Sequence, residues 1–354
     1  MIYFDNAATT FLCDAARNIF LSNKFGNPSS SHILGLEAER AVKKAAKDIS
    51  EILVCYSEEL IFTSGGTESN NLGIMGVAFA LRSSRGRRRP FHILASNQEH
   101  PSVAEPLKYL ASLPGFSVTF AAPTEWEMHI CEDTALICIA QVSSETGDIL
   151  DIGQLKHNAV VFVDGAQGFC KIPRPEWADI YSFSGHKIHG PMGVGGLMVK
   201  KGIRIQPLMY GGGQQKQIRP GTENVMGILA LAVAAKEVCA SDHGKAAKIK
   251  EILSDLGEVN QKSDWASPYI LNMSFPGIRG ETLTNLLTSR GCYVSQGSAC
   301  RNNAAKKESP LVFMGFNKKR AESAIRLSFS IMNTEEEARR AKEIIKDCIM
   351  ELKR

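Results

Sequence analysis

The sequence holds no Cys-x-x-Cys pair, although it has nine cysteines, at positions 13, 55, 131, 138, 170, 239, 292, 300 and 348. An odd, scattered set speaks against a disulfide framework and against a cysteine zinc site, and fits reduced thiols that mostly serve as small core residues. No uninterrupted apolar run approaches the ~20 residues that cross a bilayer. Met1 leads straight into Ile2-Tyr3-Phe4-Asp5, without the basic and apolar regions of a secretion signal. The expectation is a cytoplasmic protein with no membrane partner. Excess charge is lacking too: 41 Lys and Arg against 37 Asp and Glu leave a formal net charge of +4. The basic cluster Arg82, Arg85, Arg87, Arg88 and Arg89 has no aromatic residues between its members. It reads as a solvated connection, so no direct nucleic-acid contact is expected.

What is present is a chain of 354 residues, 44% hydrophobic, enough for a full core in one large domain with a smaller companion. Apolar runs at 59–63, 91–95, 116–120, 136–142, 160–163 and 195–199 read as strands, and 36–53 and 225–239 as helices. After residue 240 the composition shifts to Asp, His, Gly and Lys, which marks a domain boundary. The remainder reads as helix 246–256, strand 270–275, helix 281–290, strand 324–329 and a charged helix from 334. The expected division is a large domain over 13–240 and a small one over 1–12 and 241–354.

Several stretches carry chemistry. Ser64-Gly65-Gly66-Thr67 turns from a strand into a helix expected to run to 81, an arrangement that lets backbone N–H groups approach an anion. It has neither the G-x-G-x-x-G nor the G-x-x-x-x-G-K spacing, and many such helix starts bind nothing. His100 lies just past a strand end, where it either borders a ligand or caps a helix. Asn27, before Pro28, is held extended in a polar loop. Residues 180–191 contain Lys187 and no other Lys, Arg, Asp or Glu. The segment reads either as a tight loop with an exposed lysine or as a site for a desolvated amine that forms a Schiff base with a carbonyl. The run 160–163 delivers Asp164, whose burial would be costly without a partner such as a cationic ring nitrogen; Gln167 could reach the same ligand. With Lys187 twenty-three residues after Asp164 and the glycine cradle upstream, the combination points to pyridoxal 5'-phosphate. Cys300 stands apart from the other thiols on a small-residue basic stretch, where it could act as a nucleophile. Arg326, in an apolar strand, calls for an anion such as a substrate carboxylate.

The assembled motifs are Asp5-Asn6-Ala7-Ala8-Thr9-Thr10, Gly26-Asn27-Pro28-Ser29, the stretch 63–71, Glu99-His100, Asp164-Gly165-Ala166-Gln167, the stretch 182–191, Arg219-Pro220-Gly221-Thr222-Glu223-Asn224 and Gly297-Ser298-Ala299-Cys300. On these the chain resembles the NifS-like group of cysteine desulfurases, in the class V aminotransferase family, over nearly its whole length. The resemblance implies an α/β protein of the pyridoxal-phosphate transferase fold type I. Its large domain would hold a mixed, mostly parallel sheet, and its smaller α/β C-terminal domain the cysteine loop. It implies that Lys187 holds the cofactor, Asp164 pairs with its ring nitrogen, Gln167 contacts the phenolic oxygen and His100 stacks on the ring and helps move protons. Gly66, Thr67, Ser184 and His186 would bind the phosphate, and Thr222 that of a neighbouring subunit, hence a homodimer. Asn27, Ser144 and Arg326 would meet the carboxylate of L-cysteine. Cys300 would take the sulfur as a persulfide, release alanine, and pass sulfur to an iron–sulfur scaffold or a tRNA-thiolation protein. Ser143-Ser144-Glu145-Thr146-Gly147 stands where the family usually has Asn-Asn-Glu-x-Gly, and the segments 127–134 and 154–159 look trimmed. A selenocysteine lyase, a cysteine sulfinate desulfinase or a low-activity sulfur-relay relative is the alternative.

Overall fold

The computed structural model describes residues 1–22, 26–85, 91–263, 265–296 and 309–353. The chain divides into two units. One comprises Phe11–Gln141 and Leu150–Ala240, the other Met1–Thr10, Val142–Ile149 and Ser241–Arg354.

The larger unit is built on a seven-stranded sheet. Across the sheet the strands run Leu60–Thr63, Gly195–Val199, Ile180–Ser184, Val160–Asp164, Thr134–Ala140, Phe91–Ser96 and Phe116–Ala121. All pairings are parallel except those of Gly195–Val199 with its two neighbours. Thr134–Ala140 is buried at every position, because a parallel strand covered on both faces has no wet side. The same pressure explains the apolar run 160–163 in the strand Val160–Asp164, where four of five residues are buried.

Helices cover the sheet. Ile33–Leu53 buries Ala38, Val42, Ala45, Ile49 and Leu53, the i, i+4, i+7, i+11, i+15 stripe that its sequence predicts. The helix expected to run unbroken from the glycine pair is instead two α-segments, Gly66–Asn71 and Val77–Arg85, joined by a π-turn at Leu72–Gly76. Gly73, inside that turn, lies against the sheet: a Cβ there would come within 2.7 Å of the Phe162 ring. Phe162 is fully buried among Leu72, Ile74, Cys138, Ile180 and Leu197. A second difference concerns residues 182–191. Ser182 and Ser184 are not loop residues but close the buried strand Ile180–Ser184, and Lys187 ends a 3-10 turn, Gly185–Lys187.

In the smaller unit an antiparallel sheet orders Ser295–Gln296, Ala324–Ser328, Ile270–Ser274 and Glu258–Val259. Helices Gly244–Leu253, Gly280–Ser289 and Glu335–Leu352 supply Ile249, Leu283, Leu287, Ala341 and Ile345 to a core shared with Leu271, Met273, Ile325 and Leu327. Thr334 opens the last helix with a capping box: Glu337 N–H donates to Thr334 Oγ1 at 3.1 Å and Thr334 N–H to Glu337 Oε2 at 3.0 Å. Ile2–Tyr3 pairs in parallel with Cys292–Tyr293, and Phe4 meets Phe329 edge-on at 5.1 Å. Val142–Ile149, which follows a strand of the larger sheet, belongs here because Asp148 is buried and accepts from the Lys262 and Ser263 N–H groups, each at 3.0 Å. Among the described residues no helix is long and apolar enough to cross a membrane.

Truncating Phe162 to alanine removes the ring that fills the space under the π-turn. Urea unfolding of Phe162→Ala is expected to show a loss of about 3–5 kcal/mol, the range for a fully buried aromatic. A loss below about 1 kcal/mol would mean that the ring does not pack as described.

Candidate active site

In the larger unit the candidate residues follow the C-terminal ends of parallel strands, the edge at which open α/β sheets bind ligands. Leu60–Thr63 leads to the glycine pair. Gly65 adopts φ +150°, which L side chains rarely take, and a Cβ on Gly66 would stand 3.6 Å from the Ser184 Cβ. The helix that starts at Gly66 has no side-chain cap. Ser184 Oγ, at the end of its own strand, is buried without a hydrogen-bond partner among the described residues. A buried hydroxyl beside uncapped N–H groups and a side-chain-free surface suits an anionic oxygen. Arg219 steadies the cradle from outside, donating from Nε to Glu68 Oε1 at 2.8 Å and from Nη2 to Oε2 at 3.3 Å. Burial alone would raise the Glu68 carboxyl, but hydrogen bonds from Arg219 and Ser64 outweigh it and hold the group below its ordinary range. Thr67 lies at the helix start, whereas Thr222 is exposed.

Next to the cradle, Asp164 is buried at its strand end. Its Oδ1 accepts from the Ala166 N–H and its Oδ2 from Asn70 Nδ2, both at 2.9 Å. Asn70 is itself locked: its Oδ1 accepts from Ser182 Oγ at 2.5 Å, and its Nδ2 also donates to Ser102 Oγ at 2.8 Å. Ser102 reaches His100, with Oγ 2.7 Å from Nδ1 and its N–H donating to the same nitrogen at 3.1 Å. Since Nδ1 accepts, the neutral ring carries its proton on Nε2. His100 therefore caps helix Pro101–Ala111 and also ends a hydrogen-bond chain from Asp164. Gln167 is buried, and its Oε1 lies 3.5 Å from Lys171 Nζ. Burial, then the charges of Lys187 and Lys171, push His186 down to about 4, so its imidazole is neutral at pH 7. Asn27 is exposed, its Oδ1 accepting from the Ser29 N–H at 3.0 Å.

The smaller unit holds Arg326 and Ser144. Arg326 is buried; Nη1 donates to the Ser144 carbonyl at 2.8 Å, and Nη2 lies 3.2 Å from Ser295 Oγ and 3.3 Å from Asp5 Oδ1. Its Nε is buried without a hydrogen-bond partner among the described residues. Cys300 and the rest of 297–308 lie outside the described residues, as do Arg87, Arg88 and Arg89.

A family model described as aminotransferase class-V matches residues 2–340. The chain belongs to that family. A relative from Lactobacillus delbrueckii subsp. bulgaricus, described as a NifS/IcsS protein homolog, is 38% identical over 96% of this chain and 94% of its own length. Another from Dictyoglomus turgidum, named cysteine desulfurase IscS, is 34% identical over 99% of this chain and 95% of its own. Among solved structures, one described as a NifS-like protein superposes with a TM-score of 0.86 at 33% identity, covering 99% of both chains. Another, SspA in complex with cysteine, gives 0.80 at 30% identity over 93% of this chain and 99% of that one.

Against this class-V background, the side chains that sequence reasoning passed over are those that hold its candidates in place. Asn70 and Ser182 lay within quoted motifs, but their tie to Asp164 spans 94 residues for Asn70 and is made only by the fold. Glu99 is the other omission. It accepts from the Ala140 N–H at 2.9 Å, and Ala140 is the register partner of Asp164. Burial and then the Asp164 charge push the Glu99 carboxyl up to about 8. Near neutral pH the raised Glu99 therefore keeps much of its proton beside the Asp164 carboxyl, which has two donors of its own.

This arrangement makes stability depend on pH. An acid whose folded value is raised contributes stability that is full below its unfolded value and lost as pH rises through the folded one. The window here runs from 4.5, the ordinary carboxyl value, to about 8. Glu99→Gln lacks this loss, so its urea midpoint should gain on the wild type steadily from about pH 5 to about pH 8.5. Parallel curves would show that Glu99 does not keep its proton in the folded protein.

Proposed function

We propose that the protein is a pyridoxal-phosphate-dependent cysteine desulfurase. The observation that carries this reading is the buried Asp164 carboxylate, held by Asn70, on the same strand-end edge as an unpartnered Ser184 hydroxyl beside the Gly65-Gly66 cradle. These residues fit a phosphorylated, nitrogen-bearing ring. In this reading Lys187 holds the aldehyde, Asp164 the ring nitrogen and Gln167 the phenolic oxygen. His100 would help hold the ring and move protons, and Gly66, Thr67, Ser184 and His186 would bind the phosphate. Bound there, pyridoxal phosphate supplies an electron sink for negative charge at the carbon that bears the substrate amine.

The chain's own residues do the rest. Asn70 and the Ala166 N–H donate to the two Asp164 oxygens and hold them in place. A neutral His186 can donate to a phosphate oxygen without adding charge next to Lys187. Freed by the substrate, Lys187 Nζ takes and returns the α-proton. Asn27, Ser144 and Arg326 bind the carboxylate of L-cysteine. The cysteine carbon–sulfur bond breaks as a sulfur–sulfur bond forms to Cys300, and the carbon keeps the electron pair and gains a proton. Cys300 thiol plus cysteine thus gives Cys300 persulfide plus alanine, with no outside oxidant. Persulfide sulfur goes to an iron–sulfur scaffold or a tRNA-thiolation protein in the cytoplasm. The larger unit, Phe11–Gln141 with Leu150–Ala240, serves as the cofactor domain, and the smaller, Met1–Thr10 with Val142–Ile149 and Ser241–Arg354, as the domain of the cysteine loop.

A homodimer belongs to the same reading. Phe20 and Leu21 on helix Asp14–Ser22, with Phe11 before it and Ile33 and Leu34 opening Ile33–Leu53, are exposed large apolar residues on elements that pack on Val225–Cys239. A second copy would cover them and meet the exposed Thr222, which then reaches the partner's phosphate.

Mass spectrometry after incubation with L-cysteine is expected to find one added sulfur on the Cys300 peptide, together with free alanine. Cys300→Ala should form no persulfide and lose desulfurase turnover at least ~100-fold, and Lys187→Ala should lose the visible cofactor band. Undiminished alanine release by Cys300→Ala would instead fit a selenocysteine lyase or sulfinate desulfinase, and cofactor loading without any alanine a sulfur-relay relative.

A further inference from the structure

Thr222 stands exposed on an arm, residues 211–224, that is fastened to one edge of the larger unit's sheet. Leu60–Thr63 is the edge strand, and the arm bonds its open side: the Phe62 N–H donates to Gln215 Oε1 at 2.7 Å, and Lys216 Nζ donates to the Leu60 carbonyl at 3.0 Å. Gln215, Lys216 and Gln217 are all left-handed, with φ of +42°, +61° and +63°. Three such residues in a row are strained, and a chain keeps that shape only where contacts outside it fix it. Next comes Arg219, which donates to Glu68 from Nε at 2.8 Å and from Nη2 at 3.3 Å. Pro220 is buried, and Gly221, at φ +103°, takes a conformation that a side chain would resist. The Gly221 N–H donates to Gln214 Oε1 at 3.1 Å. Beyond Thr222, Asn224 caps helix Val225–Cys239, its Oδ1 accepting from the Gly227 N–H at 3.0 Å. Thr222 is thus held between two anchors, Arg219 before it and Asn224 after it, while itself exposed.

The two ends of the ion pair are held unequally. Glu68 keeps a second donor, the Ser64 N–H at 2.7 Å, so the start of the cradle helix stays tied to its strand without Arg219. The stretch 218–222 has no such reserve: among the described residues, its other hydrogen bonds run to Gln214 and Gln215, inside the arm itself. A forked guanidinium on a carboxylate fixes orientation as well as distance. We propose that Arg219 is a positioning residue that acts on a second copy of this chain: clamped on Glu68, it aims Thr222 at the partner's phosphate site, and its effect on cofactor binding is felt there rather than in the cradle it touches. The proposal rests on the reading above that Lys187 carries the cofactor and Thr222 reaches the phosphate of a neighbouring subunit. A role in the cradle would fall on the subunit that carries the arginine, and a role through the arm on the other one.

The test uses full-length subunits carrying two different tags, co-expressed so that mixed dimers can be purified, stripped of cofactor and titrated with pyridoxal phosphate. A site without Lys187 gives no visible cofactor band. In a mixed dimer with Lys187→Ala, the band therefore reports the site built on the other subunit's lysine and served by the arm of the Lys187→Ala subunit. Arg219→Met alone is expected to bind pyridoxal phosphate about tenfold more weakly than wild type, the size of one charge-assisted pair. Paired with Lys187→Ala, whose arm is intact, it should return to wild-type affinity. Thr222→Val is the control, weakened alone and restored in the same pairing. Mixed dimers of Arg219→Met that stay weak while those of Thr222→Val recover would overturn the role of Arg219 alone, as would wild-type affinity in Arg219→Met by itself. No visible band in the wild type, no dimer, or a Thr222→Val that fails to weaken alone or to recover in the pairing overturns the reading of a shared site and the role of Arg219 with it. If Arg219→Met does not fold, judged by near-ultraviolet circular dichroism, Arg219→Lys keeps the charge without the fork and the same outcomes decide.

Discussion

The interaction on which the site depends is the hydrogen bond from Asn70 Nδ2 to the buried Asp164 carboxylate. A carboxylate at the end of a strand buried on both faces is stable only if donors replace the water it has lost. Asn70 can serve because Ser182 and Ser102 fix both ends of its amide. The charge then orders its surroundings. It helps keep Glu99 protonated, so a single negative charge remains at the sheet end. On the other side of the site the same logic holds for the bases, where burial and mutual repulsion drive His186 and Lys171 toward neutrality. The result is a pocket of partners pushed toward neutral forms around one fixed anion, a setting suited to a cationic ring nitrogen.

Sheet topology brings these groups together. Asp164 and Ser184 end neighbouring parallel strands, and the glycine pair follows the strand Leu60–Thr63. The intervening strand, Gly195–Val199, is antiparallel and therefore starts at that edge, with Gly195 paired to both Thr63 and Ser184. A one-residue shift of Ile180–Ser184 would carry Ser182 to the other face of the sheet and break its link to Asn70. The precision of the site is thus inherited from strand register rather than from its loops.

Much of this was legible in the sequence, and the reasons differ from residue to residue. Asp164 stood out because a charge ends an apolar run, and the glycine pair because it sits between strand and helix patterns. The helix Val225–Cys239 was read to its end residues, since its apolar content is high and its flanks polar. The segment around Lys187 read either as a tight loop or as a site for a desolvated amine, and neither reading anticipates the strand Ile180–Ser184, which exists because it pairs between two others. Lys171 carried no signal: its proximity to Gln167 depends on Cys170 adopting a positive φ, which nothing in a cysteine announces. Likewise the reassignment of Val142–Ile149 to the smaller unit rests on Asp148 meeting backbone N–H groups more than a hundred residues away.

Arg326 shows how a buried charge can be kept available. Strand pairing sets it opposite Asn272 and Ser295, so its side chain is fixed by register. Its anionic neighbours are both imperfect: Asp5 at 3.3 Å, and Glu145 at 3.7 Å, a group that burial pushes toward its protonated form. Neither engages the guanidinium through two parallel bonds, and Nε has no partner among the described residues. Loose ion pairs at 3.3 and 3.7 Å offset the desolvation of the arginine only in part. An incoming carboxylate that forms the two-pronged contact would satisfy Nε and could displace Glu145, whose raised value makes neutralisation inexpensive. The same strand position thus tolerates Arg326 in the resting chain while leaving its strongest binding mode unused.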